Sequence, residues 1–207
     1  MKFLLVSDLH ASARALEAIS SAAEEHKPDC ILIAGDLTTF GPAGFADEVA
    51  LLGNTPVMAV TGNCDTPDVR ERMEALGISI IDRVVRAGSV DIAGVPWNGR
   101  KRIFDGASEA LVSALGTRDK SRPLVILSHC PALGVLDEAA PGAQAGSQHI
   151  TDIVHSEKPA ALLSGHVHEA RGIVRSGGTV FVNAGPAMAG NAALVTFARG
   201  KLDAVLL

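Results

Sequence analysis

The segment Phe3-Leu4-Leu5-Val6-Ser7-Asp8-Leu9-His10 joins an apolar run to a carboxylate and an imidazole. The run Phe3–Val6 has the composition of a buried strand, and Asp8 and His10 follow where that strand would end. Residues two apart in extended backbone place their side chains on the same side. The segment therefore predicts a strand that delivers both side chains to one edge of a sheet.

The same arrangement recurs four more times along the chain. The apolar runs are Cys30–Ala34, Val57–Val60, Leu124–Leu127 and Ala160–Leu163. The motifs that follow them are Gly35-Asp36, Gly62-Asn63, Ser128-His129 and Gly165-His166-Val167-His168. Ligands of open parallel sheets bind beyond the carboxyl ends of the strands. We therefore expect these motifs, although distant in sequence, to meet at one edge.

The segments between the runs predict an α/β fold. Helical patterns cover residues 12–26, 67–76, 107–116 and 147–157, with Ser12 and Thr66 as expected N-caps. Three hairpin signals centre on Gly88-Ser89, Gly177-Gly178 and Arg199-Gly200-Lys201. Hairpins add antiparallel strands to a parallel core. The prediction is two mixed β-sheets packed face to face, with flanking helices.

Length and composition narrow the class of protein. A chain of 207 residues with 47% hydrophobic residues is expected to form a single domain, residues 1–207, with a full core. The net charge of -5 argues against a nucleic-acid binder. Without a membrane-length apolar run, a leader pattern or paired cysteine spacing, the expected location is the cytoplasm, with no membrane partner. The oligomeric state is not indicated.

The side chains after the strands are a suitable donor set for two divalent ions. The seven candidate ligands are Asp8, His10, Asp36, Asn63, His129, His166 and His168. Two ions about 3.5–4 Å apart need a bridging carboxylate, and Asp36 stands alone between two ligand groups. Mixed imidazole and carboxylate donors favour Mn, Fe, Ni, Co or Zn over Mg or Ca, with Mn expected.

In this order, the five motifs resemble those of the calcineurin-type metallophosphoesterases, whose pattern is D-x-H, G-D, G-N-H-[DE], H and G-H-x-H. The resemblance covers residues 8–168 and implies a four-layer αββα sandwich. It implies that Asp8, His10, Asp36 and His168 hold one metal, and that Asp36, Asn63, His129 and His166 hold the other. The implied reaction is hydrolysis of a small phosphate ester, most simply a diester, by a hydroxide that bridges the metals.

The third motif departs from the family pattern, because it reads Gly62-Asn63-Cys64-Asp65. The resemblance makes Asn63, Cys64 and Asp65 the candidate catalytic residues. The family's histidine at the position of Cys64 stabilises the transition state or protonates the leaving group. Because a thiol is a weaker hydrogen-bond partner and a poor acid for an alkoxide, we expect a preference for good leaving groups.

Other functions remain open at this stage. The Gly-Asn-Cys-Asp form resembles small prokaryotic phosphodiesterases and also the scaffold subunit of the retromer coat. A scaffold would be expected to lose ligands, whereas this chain retains all seven. A phosphomonoesterase is a further alternative, and a nuclease would be expected to carry a basic groove. Arg100-Lys101-Arg102 would either contact a phosphate or lie in a solvated loop, and the connection Cys130–Gly146 is expected to be a functional loop.

Overall fold

The computed structural model describes residues 1–97 and 108–207. Two predictions therefore fall outside the described residues: the phosphate contact by Arg100-Lys101-Arg102, and the first residue of the helix predicted at 107–116.

The described residues form thirteen strands and five α-helices. The strands are β1 (Lys2–Val6), β2 (Cys30–Ala34), β3 (Val57–Val60), β4 (Val84–Ala87), β5 (Val90–Val95), β6 (Leu124–Ser128), β7 (Glu138–Ala140), β8 (Ala143–Gln144), β9 (Ala161–Ser164), β10 (Gly172–Ser176), β11 (Thr179–Asn183), β12 (Ala193–Ala198) and β13 (Lys201–Leu206). The helices are α1 (Ala13–His26), α2 (Phe45–Ala50), α3 (Pro67–Ala75), α4 (Glu109–Thr117) and α5 (Gln148–Glu157). None of the described helices has the length and apolarity needed to cross a bilayer.

Two mixed sheets contain most of the strands. The first has the order β13-β12-β1-β2-β3, and the second has the order β10-β11-β9-β6-β5-β4. The central strands β1, β2 and β3 are parallel, as are β5, β6, β9 and β11. The three predicted hairpins are confirmed as the antiparallel pairs β4–β5, β10–β11 and β12–β13.

Strand β6 shows how the layers are arranged. Val125 and Leu127 belong to a core cluster that also contains Phe3 and Leu5 of β1, so this core joins the two sheets. Their neighbour Ile126 belongs to a second cluster, with Leu111 of α4 and others from α5. Because alternate residues of a strand face opposite sides of the sheet, the second sheet has one face on the first sheet and the other on helices. The predicted face-to-face packing is confirmed.

Helix α1 follows its sequence signals closely. Ser12 has extended backbone and its side chain accepts a hydrogen bond from the N–H of Ala15, which satisfies one of the free donors at the helix start. The helix ends where Lys27 adopts a left-handed conformation with φ 47°. Ala15, Ile19 and Ala23 form the buried face. The α1 segment therefore starts, ends and packs as the pattern predicts.

Three local features differ from expectation. Thr66 stands before α3, but its side chain makes no capping hydrogen bond. Helix α2 has only six residues, too few for a periodic pattern to be recognised. The connection 130–146 contains the small hairpin β7–β8, whose two strands are mostly exposed and carry no apolar alternation.

Candidate metal centre

All five motifs meet at the carboxyl ends of the central strands. In the first sheet Asp8, Asp36 and Asn63 follow β1, β2 and β3. In the second sheet His129 follows β6 and His166 follows β9. His168 begins a short 3-10 turn, His168–Ala170. The site therefore lies at the end of the sandwich where the carboxyl ends of the parallel strands of both sheets meet, and its side chains come from both sheets.

The backbone turns sharply at four of the candidate ligands. Asp8, His10, Asp36 and His166 have φ values of 56°, 50°, 51° and 69°. Non-glycine residues rarely adopt this left-handed region, and such strain clusters at functional sites. The turns end the strands and redirect the side chains toward one another.

Two motif glycines permit the close approach of the carboxylates. A Cβ on Gly62 would lie 2.1 Å from Asp36 Oδ1. A Cβ on Gly165 would lie 1.8 Å from Ser7 Oγ and 2.6 Å from Asp8 Oδ2. These glycines are needed because the space that a side chain would occupy is filled by the site itself.

One group of donors surrounds the Asp8 carboxylate. His168 Nε2 lies 3.2 Å from Asp8 Oδ1, and His10 Nε2 lies 3.9 Å from the same oxygen. The opposite ring nitrogen of His10 is 3.0 Å from Thr39 Oγ1, which orients the ring. Asp8 is 1% exposed, and among the described residues its Oδ1 makes no well-aligned hydrogen bond, although His168 Nε2 lies within reach. A buried carboxylate oxygen without an aligned donor is a position suited to a cation.

The second group surrounds the fully buried His129. Its Nδ1 is 2.7 Å from the carbonyl of Ala34, which accepts the ring N–H. Its Nε2 then faces Asn63 Oδ1 at 3.0 Å, His166 Nδ1 at 3.2 Å and Asp36 Oδ2 at 3.5 Å. Four atoms with lone pairs thus converge, and a proton or a metal ion is needed to make their approach favourable.

The electrostatics of the protein without metal reflect this convergence. Burial by itself would lower the pKa of His129, but the Asp36 and Asp8 carboxylates outweigh burial and raise it. Burial together with the nearby His129 lowers the pKa of His166 to about 4. Burial would raise the pKa of Asp8, but its contact with His168 and the charge of His129 lower it to about 2. One positive charge is therefore favoured at His129 by the two carboxylates, whereas a second positive charge on His166 is disfavoured.

The residues of the third motif have three different environments. Asn63 donates from Nδ2 to Cys64 Sγ at 3.2 Å, which leaves Oδ1 directed at His129. The N–H of Cys64 donates to Asp36 Oδ1 at 2.8 Å. Burial and the Asp36 carboxylate raise the pKa of the Cys64 thiol to about 12. The thiol is thus neutral, and Cys64 Sγ lies within 4.8 Å of ligand atoms of His10 and Asp36.

Asp65 is held by the backbone of two loops. Its carboxylate accepts hydrogen bonds from the N–H groups of Leu37 at 3.2 Å, Thr38 at 2.9 Å and Gly62 at 2.9 Å. Burial raises the pKa of Asp65, and the hydrogen bond from Gly62 opposes this effect. Asp65 therefore ties the loop that carries Asp36 to the loop that carries Asn63.

Trp97 is a site residue that the motif search did not select. Its ring centroid lies 5.3 Å from that of His166 and 6.2 Å from that of His129. Trp97 follows β5, a strand parallel to β6, by two residues. The rule that selected the motifs, a side chain just beyond a central parallel strand, would also have selected Trp97.

The donor set fits divalent metal ions. Three clusters have ligand atoms within 4.8 Å of one another: Asp8 with His10 and His168, His10 with Asp36 and Cys64, and Asp8 with Asp36 and His129. Imidazole and carboxylate donors suit first-row transition metals and zinc. The Asp8 oxygen without an aligned hydrogen bond and the acceptor atoms around His129 Nε2 point to the same conclusion.

Comparison with known proteins identifies the class to which this fold and site belong. Residues 1–204 match the family model described as the calcineurin-like phosphoesterase superfamily domain. The chain therefore belongs to the calcineurin-like phosphoesterase superfamily.

Particular relatives are more distant. An uncharacterised protein of Methanocaldococcus jannaschii is 24% identical over 90% of this chain and 88% of its own. A probable cyclic nucleotide phosphodiesterase of Synechococcus is 30% identical over 74% of this chain and 63% of its own. Among solved structures, TT1561 of Thermus thermophilus has a TM-score of 0.75 at 18% identity, covering 99% of this chain and 97% of that one. The last comparison supports the two-sheet fold.

Proposed function

We propose that the chain is a phosphodiesterase that uses two divalent metal ions, with Mn²⁺ as the expected pair. The observation that carries the proposal is the position of Asp36 Oδ2, 3.9 Å from His10 Nε2 and 3.5 Å from His129 Nε2. A single carboxylate oxygen between two imidazoles, each in a separate donor group, is what a bridging ligand requires. The cytoplasm is the proposed location, since Cys30, Cys64 and Cys130 are all unpaired.

Each donor group would hold one ion. The first ion would be bound by Asp8, His10 and His168. The second ion would be bound by Asn63, His129 and His166. Asp36 would bind both ions. When bound, the ions would supply charge neutralisation for the phosphoryl oxygens and a water of lowered pKa. Asn63 would orient the phosphate, and Ala34 would hold His129 in the tautomer that presents Nε2. Asp65 would fix the position of the loop that carries Asp36 relative to the loop that carries Asn63.

Leaving-group chemistry favours activated diesters. No imidazole stands at the position of Cys64, and the neutral thiol is a poor proton donor to an alkoxide. The printed name of the Synechococcus relative agrees with diester hydrolysis, although this chain spans less than two thirds of that protein. The substrate itself is not identified by the metal ligands, since these would contact the phosphoryl group that all esters share.

A metal-dependent hydrolysis screen tests the proposal. Mn²⁺-loaded protein should hydrolyse bis(p-nitrophenyl) phosphate faster than p-nitrophenyl phosphate. Asp36→Asn should abolish turnover and reduce the metal content measured by elemental analysis. Asp203→Asn is the matched control, because Asp203 is exposed and pairs with Arg175 at 2.8 Å on the second strand of a hairpin.

Three outcomes would contradict the proposal. Two tightly bound ions in Asp36→Asn would show that this carboxylate is not the bridge. Faster turnover of the monoester would favour a phosphomonoesterase. Absence of metal-dependent turnover with both substrates would favour a non-catalytic interaction module of the same fold.

A further inference from the structure

Two separate cavities border Asn63. The first has a volume of about 330 Å³ and is lined by residues that include Gly62, Thr66, Arg70 and Trp97. The second has a volume of about 560 Å³ and is lined by residues that include Gln144, His166 and Glu169. Asn63 is the one residue common to the two linings as the structure describes them. Both volumes lie in the usual range for small-molecule sites.

The first cavity has the features of a site for a planar ring. Trp97 supplies an aromatic face, and it already lies against His166 at the metal centre. The Arg70 side chain is 43% exposed and is held by Asp82 at 3.5 Å, so its remaining N–H groups can donate to a ligand. A flat ring with hydrogen-bond acceptors at its edge could stack on Trp97 and bond to Arg70.

The second cavity has a different chemistry. It is lined by an exposed carboxylate, Glu169, by the amide of Gln144 and by the small residues Ala139, Ala145 and Gly146. Gln144 and Glu169 also line an adjoining cavity that contains Glu138. The surface is therefore acidic and polar, which suits an arm with hydroxyl or ammonium groups and disfavours an anionic one.

From this arrangement we infer that the substrate is an open-chain diester with two unlike arms. One arm would carry a planar, hydrogen-bond-accepting ring in the cavity of Trp97 and Arg70. The other would carry a neutral or cationic polar group in the cavity of Gln144 and Glu169. A cyclic diester, in which one sugar supplies both ester oxygens, would fill only one cavity. This inference rests on the proposed function, since it requires the phosphate to lie at the metal centre beside Asn63.

Trp97 fluorescence tests ring binding without reference to turnover. The chain has one tryptophan and no tyrosine, so intrinsic emission reports on the surroundings of Trp97, which include this cavity and the neighbouring His129 and His166. In Mn²⁺-loaded protein, AMP should quench the emission more strongly than ribose phosphate, which has the phosphate but no ring. Arg70→Gln should weaken the AMP effect. Arg72→Gln is the matched control, because Arg72 lies on the same helix but pairs with Asp47. Equal responses to AMP and ribose phosphate would overturn ring binding.

Substrate selectivity tests both arms. Thymidine trifluoroethyl phosphate should exceed methyl trifluoroethyl phosphate, which has no ring, in kcat/KM by about tenfold, the scale expected of one stacked base. Trp97→Leu should bring this ratio close to one, while Trp97→Phe should retain most of it. p-Nitrophenyl phosphocholine should be preferred to methyl p-nitrophenyl phosphate, and Glu169→Gln should remove that preference. Two results would overturn the two-arm inference. One is a kcat/KM ratio of one in both comparisons for the wild type. The other is faster turnover of cyclic AMP than of the thymidine diester.

The two tests separate failure of this inference from failure of the proposed function. If no diester is hydrolysed but AMP still quenches Trp97, the ring site is supported and the phosphodiesterase proposal is not. If methyl p-nitrophenyl phosphate is hydrolysed without ring selectivity or quenching, the proposed function stands and the inference is wrong.

Discussion

At the scale of single residues, Gly62 and Gly165 let the backbone approach the Asp36 and Asp8 carboxylates of the candidate metal centre. Alanine at position 62 would place Cβ 2.1 Å from Asp36 Oδ1, so the carboxylate must move. We expect Gly62→Ala to lower the metal content below two ions per chain and to cost about 1–3 kcal/mol in unfolding free energy, the usual effect of overpacking. Elemental analysis and urea denaturation would measure the two effects.

Gly44→Ala is the control for this substitution. A Cβ on Gly44 meets no atom within 4 Å, and its φ of -60° is accessible to alanine. It should therefore bind metal like the wild type. Full metal content in Gly62→Ala would show that the site tolerates displacement of Asp36.

In the proposed phosphodiesterase, Cys64 should determine which leaving groups are accepted. Cys64→His introduces a group that can be cationic near neutral pH at the position where the thiol is neutral. We expect Cys64→His to raise turnover of alkyl phosphate esters by about 10²-fold, as general acids do, with less effect on p-nitrophenyl esters. Rates would be measured for aryl phosphate esters whose leaving phenols differ in pKa. In the variant, the rate should depend less steeply on the pKa of the phenol than in the wild type. An unchanged slope would mean that proton donation does not limit the reaction.

At the scale of secondary structure, two predicted N-caps provide a matched comparison. Ser12 accepts a hydrogen bond from Ala15 N–H, whereas the Thr66 side chain makes no capping bond. Ser12→Ala should cost about 1 kcal/mol in unfolding free energy. Thr66→Ala should cost much less, because Pro67 at the first helical position already favours the helix start. Equal losses in urea denaturation would contradict this reading of the two helix starts.

The elements that could be predicted from sequence are those with strong periodicity or local turn chemistry. Strands such as Cys30–Ala34 are continuous buried runs, and the hairpin at Gly177-Gly178 has a specific turn signal. Helix α2 and the hairpin β7–β8 are too short or too exposed to carry a periodic pattern. Their formation depends on contacts with the rest of the molecule, which sequence patterns do not report.

The candidate site also has features that could be predicted from sequence and features that could not. The seven candidate ligands could be selected because each lies beyond the carboxyl end of a central strand. The role of Asp65 in holding Leu37, Thr38 and Gly62 depends on the approach of two loops from different parts of the chain. The placement of Trp97 against His166 likewise depends on the packing of the sheet. Local sequence could place Trp97 just beyond β5, but it does not indicate the partner in either contact.

At the scale of the whole molecule, the proposed ligands come from both sheets. Asp8 and Asp36 follow strands of the first sheet, and His129 and His166 follow strands of the second. Metal binding should therefore stabilise the packing of one sheet on the other. At a free Mn²⁺ concentration of one hundred times Kd, the unfolding free energy should rise by about 2.7 kcal/mol for each ion bound. Denaturation with Mn²⁺ and with a chelator would measure this difference.

Asp36→Asn tests whether that stabilisation comes from the proposed centre. The variant should unfold at nearly the same denaturant concentration with and without Mn²⁺. Asp203→Asn should show the full wild-type difference. A large Mn²⁺ effect retained in Asp36→Asn would place the stabilising ion elsewhere on the molecule.

The position of β12 beside β1 has a consequence for a chain that is still being synthesised. Strand β1 is made first, yet the strand that pairs with one of its edges begins only at Ala193, after every proposed ligand. Until then, the edge of β1 presents unpaired N–H and C=O groups that another chain could occupy. Chains ending before Ala193 should therefore associate, which sedimentation would show as oligomers. During synthesis on the ribosome, this edge of β1 stays exposed until β12 has been made and can pair with it.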